Sequence, residues 1–239
     1  MKKQKSLGSI ILGLLVAALV WFLKERGIIT DEQASTWSSG GGQSELSKGE
    51  VEVARLSPVR EQGAGLELLQ DCQLILGRNN DGDSFHVRHG NRESEFRLYF
   101  VDTPESQFKT YRGGESNGER LAEQGRYFGG LAQEATTEVG RAAKVFVKRL
   151  LEGSSFKVLT KWEDVYGPDR QYGFVIVPWE GSEVYLHELL VAKGLARIHT
   201  RGADLPQGRS WRKQKDFLKT LEKESKSRKL GAWGISGSH

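Results

Sequence analysis

The chain has 239 residues, of which 37% are hydrophobic, so it is long enough for one or two domains with an ordinary core. Lysine and arginine number 35 against 31 aspartates and glutamates, and the formal net charge of +4 permits a polyanionic partner without requiring one. The single cysteine, Cys72, excludes an intrachain disulfide and a zinc site built from several cysteines.

The first predicted element is an uncharged apolar segment over residues 6–23. As a helix it would be ~27 Å long, close to the thickness of the hydrocarbon layer of a membrane. Lysines precede it, whereas the charges of Lys24, Glu25 and Arg26, which follow it, mostly cancel. The more positive flank should stay in the cytoplasm, so the rest of the chain should lie outside the cytoplasm. We therefore predict that residues 1–26 form a single-pass anchor that contacts the lipid bilayer.

A cleaved signal peptide is the alternative interpretation of this segment, and it would make the protein secreted. Such a peptide needs a small-x-small site just after the apolar run, and the sequence LKER at residues 23–26 is a poor match. The anchor is therefore preferred. Residues 27–66 follow and are polar and partly rich in glycine and serine, which predicts a flexible linker.

Residues 67–239 are predicted to form the folded domain, ending in a helical extension. The runs LQDCQLIL, SFHVRHG and EFRLYFVD predict three strands, an apolar helical period over residues 139–150 predicts a helix, and FKVLTKWE and RQYGFVIVPW predict two more strands. Two helices follow, the last with Trp211 and Leu221 among the residues facing inward. These elements predict an α+β, mainly β fold, in which five short strands close into a small barrel covered by helices.

Two acidic clusters lie at the ends of predicted strands. In NNDGDSFHV, a hairpin turn would explain Asp81 and Gly82 but not Asp83. In FRLYFVDTPES, proline ends the ladder, so Asp102 and Glu105 emerge at a strand end. If the strands are neighbours, the carboxylates converge, and they would repel one another unless a cation lies between them.

The chemistry of these clusters favours a hard cation. Oxygen ligands without histidine or cysteine suit Ca²⁺ or Mg²⁺ rather than zinc. An EF-hand loop is excluded, because Gly82 lies between Asp81 and Asp83 and no helix enters the loop. Arg97 lies inside the apolar run before the second cluster, where an unpaired arginine would be costly, and this favours an anion-binding role.

The sequence resembles the staphylococcal thermonuclease-like family of calcium-dependent nucleases in the motifs DGDSF, FRLYFVDTPES and DVYGPDR followed by YGFVIV. The resemblance covers roughly residues 69–199 and implies a five-stranded oligonucleotide/oligosaccharide-binding (OB) barrel with helices. It implies Ca²⁺-dependent hydrolysis of phosphodiester bonds in DNA and RNA. The alternative is a catalytically weak or inactive nucleic-acid-binding module of the same fold. No feature indicates a protein partner.

The resemblance also implies roles for individual residues. Arg97 would bind the scissile phosphate and stabilise the charge that develops on it. Glu105 would be the general base or would orient the attacking water. The direct Ca²⁺ ligands would be Asp83, Asp102 and the backbone carbonyl of Thr103, with Asp81 acting through a water molecule.

The family has a second arginine after a Tyr-Gly pair, and the match departs from the family pattern here. Read strictly, the sequence YGF puts Phe174 where the arginine belongs. Read with a two-residue insertion in DVYGPDR, Arg170 supplies the guanidinium and the strand QYGFVIV then follows it as in the family. We prefer the second reading, in which Arg170 and Tyr166 contact the substrate and Arg170 takes part in catalysis.

Overall fold

The computed structural model describes residues 45–47, 49–166 and 169–236. The predicted anchor, residues 1–26, lies outside these ranges. Within them, no helix combines the length and the apolar character that crossing a membrane requires.

Eight strands and five α-helices form the described part of the chain. The strands are β1 (Glu67–Leu74), β2 (Ser84–His89), β3 (Arg92–Leu98), β4 (Val101–Asp102), β5 (Phe156–Asp164), β6 (Arg170–Trp179), β7 (Ser182–Tyr185) and β8 (Arg197–Ile198). The helices are α1 (Gly118–Tyr127), α2 (Gln133–Glu152), α3 (Leu186–Ala192), α4 (Trp211–Ser227) and α5 (Ala232–Ser236). Short 3₁₀ helices lie at Glu45–Ser47, Val53–Arg55 and Pro206–Gly208.

Five strands close into a barrel in the order β1-β2-β3-β6-β5, with β5 pairing back to β1. The pairing of β3 with β6 is parallel and sets Arg97 opposite Tyr172, while the other pairings are antiparallel. Strand β7 extends the sheet from β6, and β4 pairs with β8 in a separate two-stranded sheet. The predicted α+β fold with a closed five-stranded barrel and helices is therefore confirmed.

The core follows the sequence periodicity except at one end of α2 and one end of α4. The α2 side chains of Val139, Ala143 and Phe146 are buried, as the apolar period of that helix requires, whereas Leu150 at the end of the period is only partly buried. Leu221 is buried in α4, as predicted. Trp211 is 42% exposed, so the prediction that it faces inward was wrong. Trp211 begins the helix, and the guanidinium of Arg212 lies over its ring instead of core side chains.

The predicted third strand is interrupted before it reaches the second acidic cluster. Strand β3 ends at Leu98, and Phe100 has a φ of 69° before β4 begins. The backbone N–H of Phe100 donates to the carbonyl of Arg201 at 2.9 Å, so the chain leaves the barrel here. In the antiparallel pairing of β4 with β8, Asp102 lies directly opposite Arg197.

Part of the predicted linker is packed against the domain. Val51 and Leu56 are buried in the core, although the surrounding residues are polar. The buried Lys193 donates from Nζ to the carbonyl oxygens of Ser47 and Gly49, at 2.8 and 2.6 Å. The folded unit therefore begins before β1, because a few apolar residues and a buried lysine hold this segment down.

Helix α2 packs so closely against the turn after β4 that only glycine fits at position 140. A Cβ atom on Gly140 would lie 2.4 Å from the carbonyl oxygen of Pro104 and 2.5 Å from that of Glu105. Gly140→Ala is therefore expected to lower the free energy of unfolding by about 1–3 kcal/mol, measured by thermal melting. Gly153→Ala is the matched control, since its nearest contact would be 3.7 Å away; equal melting temperatures would contradict the packing argument.

Candidate active site

The loop between β1 and β2 brings the first acidic cluster against the second. A Cβ atom on Gly82 would lie 2.8 Å from Thr103 Oγ1 and 3.0 Å from Ala143 Cβ, so close approach requires glycine here. Neither Asp81 nor Gly82 has the positive φ of a tight hairpin turn. The glycine is therefore explained by packing, and the packing positions Asp83 next to the turn that follows β4.

A cavity of about 190 Å³ opens between these two segments and the neighbouring strands. All predicted site residues line it except two: Asp102, which lies fully buried, and Tyr166, which is fully exposed in the turn between β5 and β6. The lining residues are Asn79, Asp81, Asp83, Ser84, Glu95, Arg97, Thr103, Pro104, Glu105, Arg120 and Arg170.

Asp102 is the centre of a buried ion-pair network. Its Oδ1 atom accepts hydrogen bonds from Arg97 Nη2 at 2.7 Å and from Arg120 Nη2 at 2.6 Å. Its Oδ2 atom accepts from Gln124 Nε2 at 2.9 Å and from Arg197 Nε at 2.8 Å. These four donors occupy the lone-pair positions that a carboxylate offers.

Arg97 connects this network to Asp83. Its Nη2 atom lies 3.5 Å from Asp83 Oδ2, and its side chain is only 12% exposed. Asp83 Oδ2 also accepts the backbone N–H of Thr103 at 2.8 Å, which ties the two acidic clusters together. The arginine in the apolar run is thus paired with two buried carboxylates.

The pKa values of the two buried aspartates shift in opposite directions. Burial raises the pKa of Asp83, with Arg97 opposing the shift and the charge of Asp102 adding to it. Burial acts on Asp102 in the same sense, but Arg120, Gln124 and the other guanidinium groups outweigh it and hold its pKa below the ordinary value. Asp102 is therefore the firmly ionised member of the pair.

The remaining carboxylates of the pocket also have cationic partners. Arg120 Nε lies 2.8 Å from Glu105 Oε1, and Lys144 Nζ lies 3.1 Å from Asp81 Oδ1. The acidic groups therefore alternate with basic groups instead of meeting at one point. Across the described residues, no three His, Cys, Asp or Glu side chains are grouped closely enough to hold a metal ion.

Arg170, and not Phe174, lies at the pocket. Its Nη1 atom is 3.7 Å from Glu95 Oε1, and its side chain is 30% exposed. Phe174 is fully buried in the barrel core. Of the two readings of the family's second arginine, the insertion reading is the one that brings a guanidinium to the cavity.

Three residues of the network were not predicted as site residues. Helix α1 carries Arg120 and Gln124, and its sequence is mainly polar with Leu121 as its one buried apolar residue, so this helix was not predicted. Arg197 did carry a signal, because it lies in the apolar run LARI, as Arg97 lies in FRLYFV. An arginine inside a buried run indicates a partner of opposite charge in both places.

Comparison with known proteins identifies a family. The family model described as "Staphylococcal nuclease homologue" matches residues 95–234, from β3 to α5. This range contains Arg97, Asp102, Glu105 and Arg170 and begins after the first acidic cluster. No curated protein sequence matches the chain significantly.

Proposed function

The chain belongs to the family of staphylococcal nuclease homologues, and from this we propose that it hydrolyses phosphodiester bonds in DNA and RNA. The observation that carries the proposal is the cavity in which Arg97, Arg120 and Arg170 lie beside Glu105. Guanidinium groups bind phosphate oxygens in a bidentate manner, and a carboxylate beside them can take the proton of an attacking water.

The arginines would stabilise the charge that develops on the phosphate during hydrolysis. Arg97 is fixed by two carboxylates before substrate arrives, so its contribution needs little reorganisation. The side chain of Arg170 is 30% exposed and that of Arg120 is 42% exposed, so both are accessible to a phosphodiester in the cavity. We propose that Arg97 and Arg170 bind the scissile phosphate, that Arg120 supports them, and that Tyr166 contacts the substrate chain.

Glu105 is the proposed general base. Arg120 holds its carboxylate at 2.8 Å, and Gln124 Oε1 accepts its backbone N–H at 3.0 Å. The carboxylate and the backbone N–H of Glu105 thus each have a fixed partner, while 24% of the side chain stays exposed. A fixed carboxylate in this place can orient a water molecule and accept its proton.

Calcium is the ion that we propose for this site, because the candidate ligands are all oxygen atoms. A cationic nitrogen, Arg97 Nη2, already lies between the carboxylates of Asp83 and Asp102, which indicates that positive charge is needed between them. We propose Asp83, Asp102 and the carbonyl of Thr103 as direct ligands, with Asp81 acting through water. A bound Ca²⁺ would supply positive charge that polarises the phosphate.

The saturated network at Asp102 favours a second candidate function. Because both oxygens of Asp102 already accept two hydrogen bonds each, a metal ion there must replace one of these four donors. If the arginines keep these contacts, the protein is a module that binds nucleic acid and hydrolyses it weakly or not at all.

We expect the full chain to hydrolyse single-stranded DNA and RNA, and duplex DNA more slowly, only when Ca²⁺ is present. The measurement is release of soluble nucleotides with Ca²⁺ and then with a calcium chelator, and the family resemblance implies products with 3′-phosphate ends. Equal rates with and without the chelator would refute the metal proposal. Binding without cleavage under both conditions would favour the second candidate.

The nuclease domain is proposed to lie outside the cytoplasm on an anchor formed by residues 1–26. The uncharged segment of residues 6–23 and its unequal flanking charges support this. The full chain should sediment with membranes and resist alkaline carbonate, and deletion of residues 1–26 should release it. A mature N-terminus located after Leu23 would instead establish a secreted protein with a cleaved signal peptide.

A further inference from the structure

Two exposed aromatic side chains lie in the loop of residues 106–117, between Glu105 and helix α1, and the chemistry above does not use them. Phe108 is 48% exposed and Tyr111 is 54% exposed. In the described part of the chain, the other strongly exposed aromatic side chains are Tyr166 and Trp211. Both rings therefore leave apolar surface in solvent within one short loop.

Hydrogen bonds hold this loop in a defined shape. Asn117 is buried, and its Oδ1 atom accepts the backbone N–H of Lys109 at 2.8 Å while its Nδ2 atom donates to the carbonyl of Gln107 at 3.0 Å. The backbone N–H of Tyr111 donates to the carbonyl of Glu115 at 2.7 Å and closes the tip. The exposed rings therefore stand on an ordered support, which reduces the entropy cost of binding through them.

Both ends of the loop lie at the proposed active site. Glu105 precedes the loop, Arg120 follows it within the first turn of α1, and both line the cavity. The ion pair between them, at 2.8 Å, closes the loop at its base. A polynucleotide with a phosphate in the cavity would therefore have its neighbouring nucleotides beside the loop.

The charge of the loop suits the same ligand. Lys109 and Arg112 alternate with the aromatic residues in the sequence FKTYR, and Glu115 is the only acidic residue of the loop. Single-stranded nucleic acids are bound by this combination, in which bases stack on aromatic rings and cations contact the backbone.

We propose that Phe108 and Tyr111 form a stacking platform for the bases of a single-stranded nucleic acid, with Lys109 and Arg112 contacting its phosphates. The inference rests on the proposed function, because it names the substrate class of the same pocket. In a duplex, neighbouring base pairs cover the faces of the bases, so a single strand is the form that offers free faces to these rings. The platform would therefore select single strands over duplex.

The test measures the Kd of the full chain for a fluorescent single-stranded oligonucleotide and for a duplex of the same length, with chelator present to prevent cleavage. The variant Phe108→Ala/Tyr111→Ala should raise the single-strand Kd by a factor on the order of 10 to 100. It should leave the duplex Kd nearly unchanged, and the salt dependence should persist because no charge is removed. Trp211→Ala, an exposed aromatic residue on α4, is the matched control and should change neither Kd.

A second variant separates loss of the rings from disturbance of the loop. Phe108→Tyr/Tyr111→Phe keeps both rings and should retain the parental single-strand Kd. An unchanged single-strand Kd in the alanine variant, equal losses for single strand and duplex, or no single-strand binding by the parent would each overturn the proposal. If the parent binds through the rings but cleaves nothing with Ca²⁺, the platform stands and the nuclease proposal fails.

Discussion

Replacing Asp102 with alanine is expected to lower the free energy of unfolding by about 3–5 kcal/mol, because removing one member of a buried ion-pair network leaves charges without compensation. Arg197 would be most affected, since its side chain is only 3% exposed and Asp102 is the buried carboxylate that it contacts. Chemical denaturation followed by circular dichroism measures the loss.

Glu123→Ala is the matched control for Asp102→Ala. Glu123 contacts the same Arg197, at 3.0 Å, but its side chain is 51% exposed, so the expected loss is below about 1 kcal/mol. Similar losses for the two variants would contradict the assignment of Asp102 as the centre of the network.

The lowered pKa of Asp102 adds a pH dependence to this prediction. Its ordinary value is 3.8, and the folded value lies below that, so its contribution is complete above 3.8 and is lost as the pH falls through the folded value. The difference in stability between the parent and Asp102→Ala should therefore be constant near neutral pH and shrink only in strong acid.

Arg97→Ala is expected to lower the turnover number on single-stranded DNA by a factor on the order of 10² to 10³, the usual effect of losing one preorganised charge donor. Arg97→Lys should not restore it, because a point charge cannot reproduce bidentate contact with phosphate oxygens. Turnover is measured with Ca²⁺ and saturating substrate. Near-parental turnover in Arg97→Ala would remove the proposed mechanism.

The folding control for Arg97→Ala has an expected outcome of its own. Without Arg97, the buried carboxylates of Asp83 and Asp102 lose the cation between them, so the melting temperature should fall with chelator and recover in part with Ca²⁺. Arg170→Ala is the comparison. Arg170 is 30% exposed, and its ion pair with Glu95 is long, at 3.7 Å, so the melting temperature should stay near the parental value. Its turnover should fall as for Arg97→Ala if Arg170 is the family's second arginine.

The barrel could be predicted because its signals are local. Alternating apolar residues and turn residues delimit the strands, and the first acidic motif directly precedes β2. The interruption at Phe100 could not be predicted, since an aromatic residue at positive φ is held there by backbone hydrogen bonds to His199 and Arg201, far along the chain.

The partners of the predicted site residues could also not be predicted from the sequence. Asp83, Asp102 and Arg97 stand in recognisable motifs, but Arg120 lies in a mainly polar segment that was not predicted to be a helix. Its role depends on tertiary contacts that place α1 over Asp102 and Glu105. Sequence patterns identify which groups need a partner, and only the fold decides which partner they receive.

The packed segment before β1 is synthesised long before the residues that hold it. Ser57 donates its backbone N–H to Glu188, 131 positions later, and Gly49 accepts from Lys193, 144 positions later. At translation rates of about 5–20 residues per second, the segment waits on the order of ten seconds for these partners to leave the ribosome. Val51 and Leu56 have no complete core to enter during that time. We therefore expect that this segment, although it is synthesised first, is the last part of the domain to pack against the core.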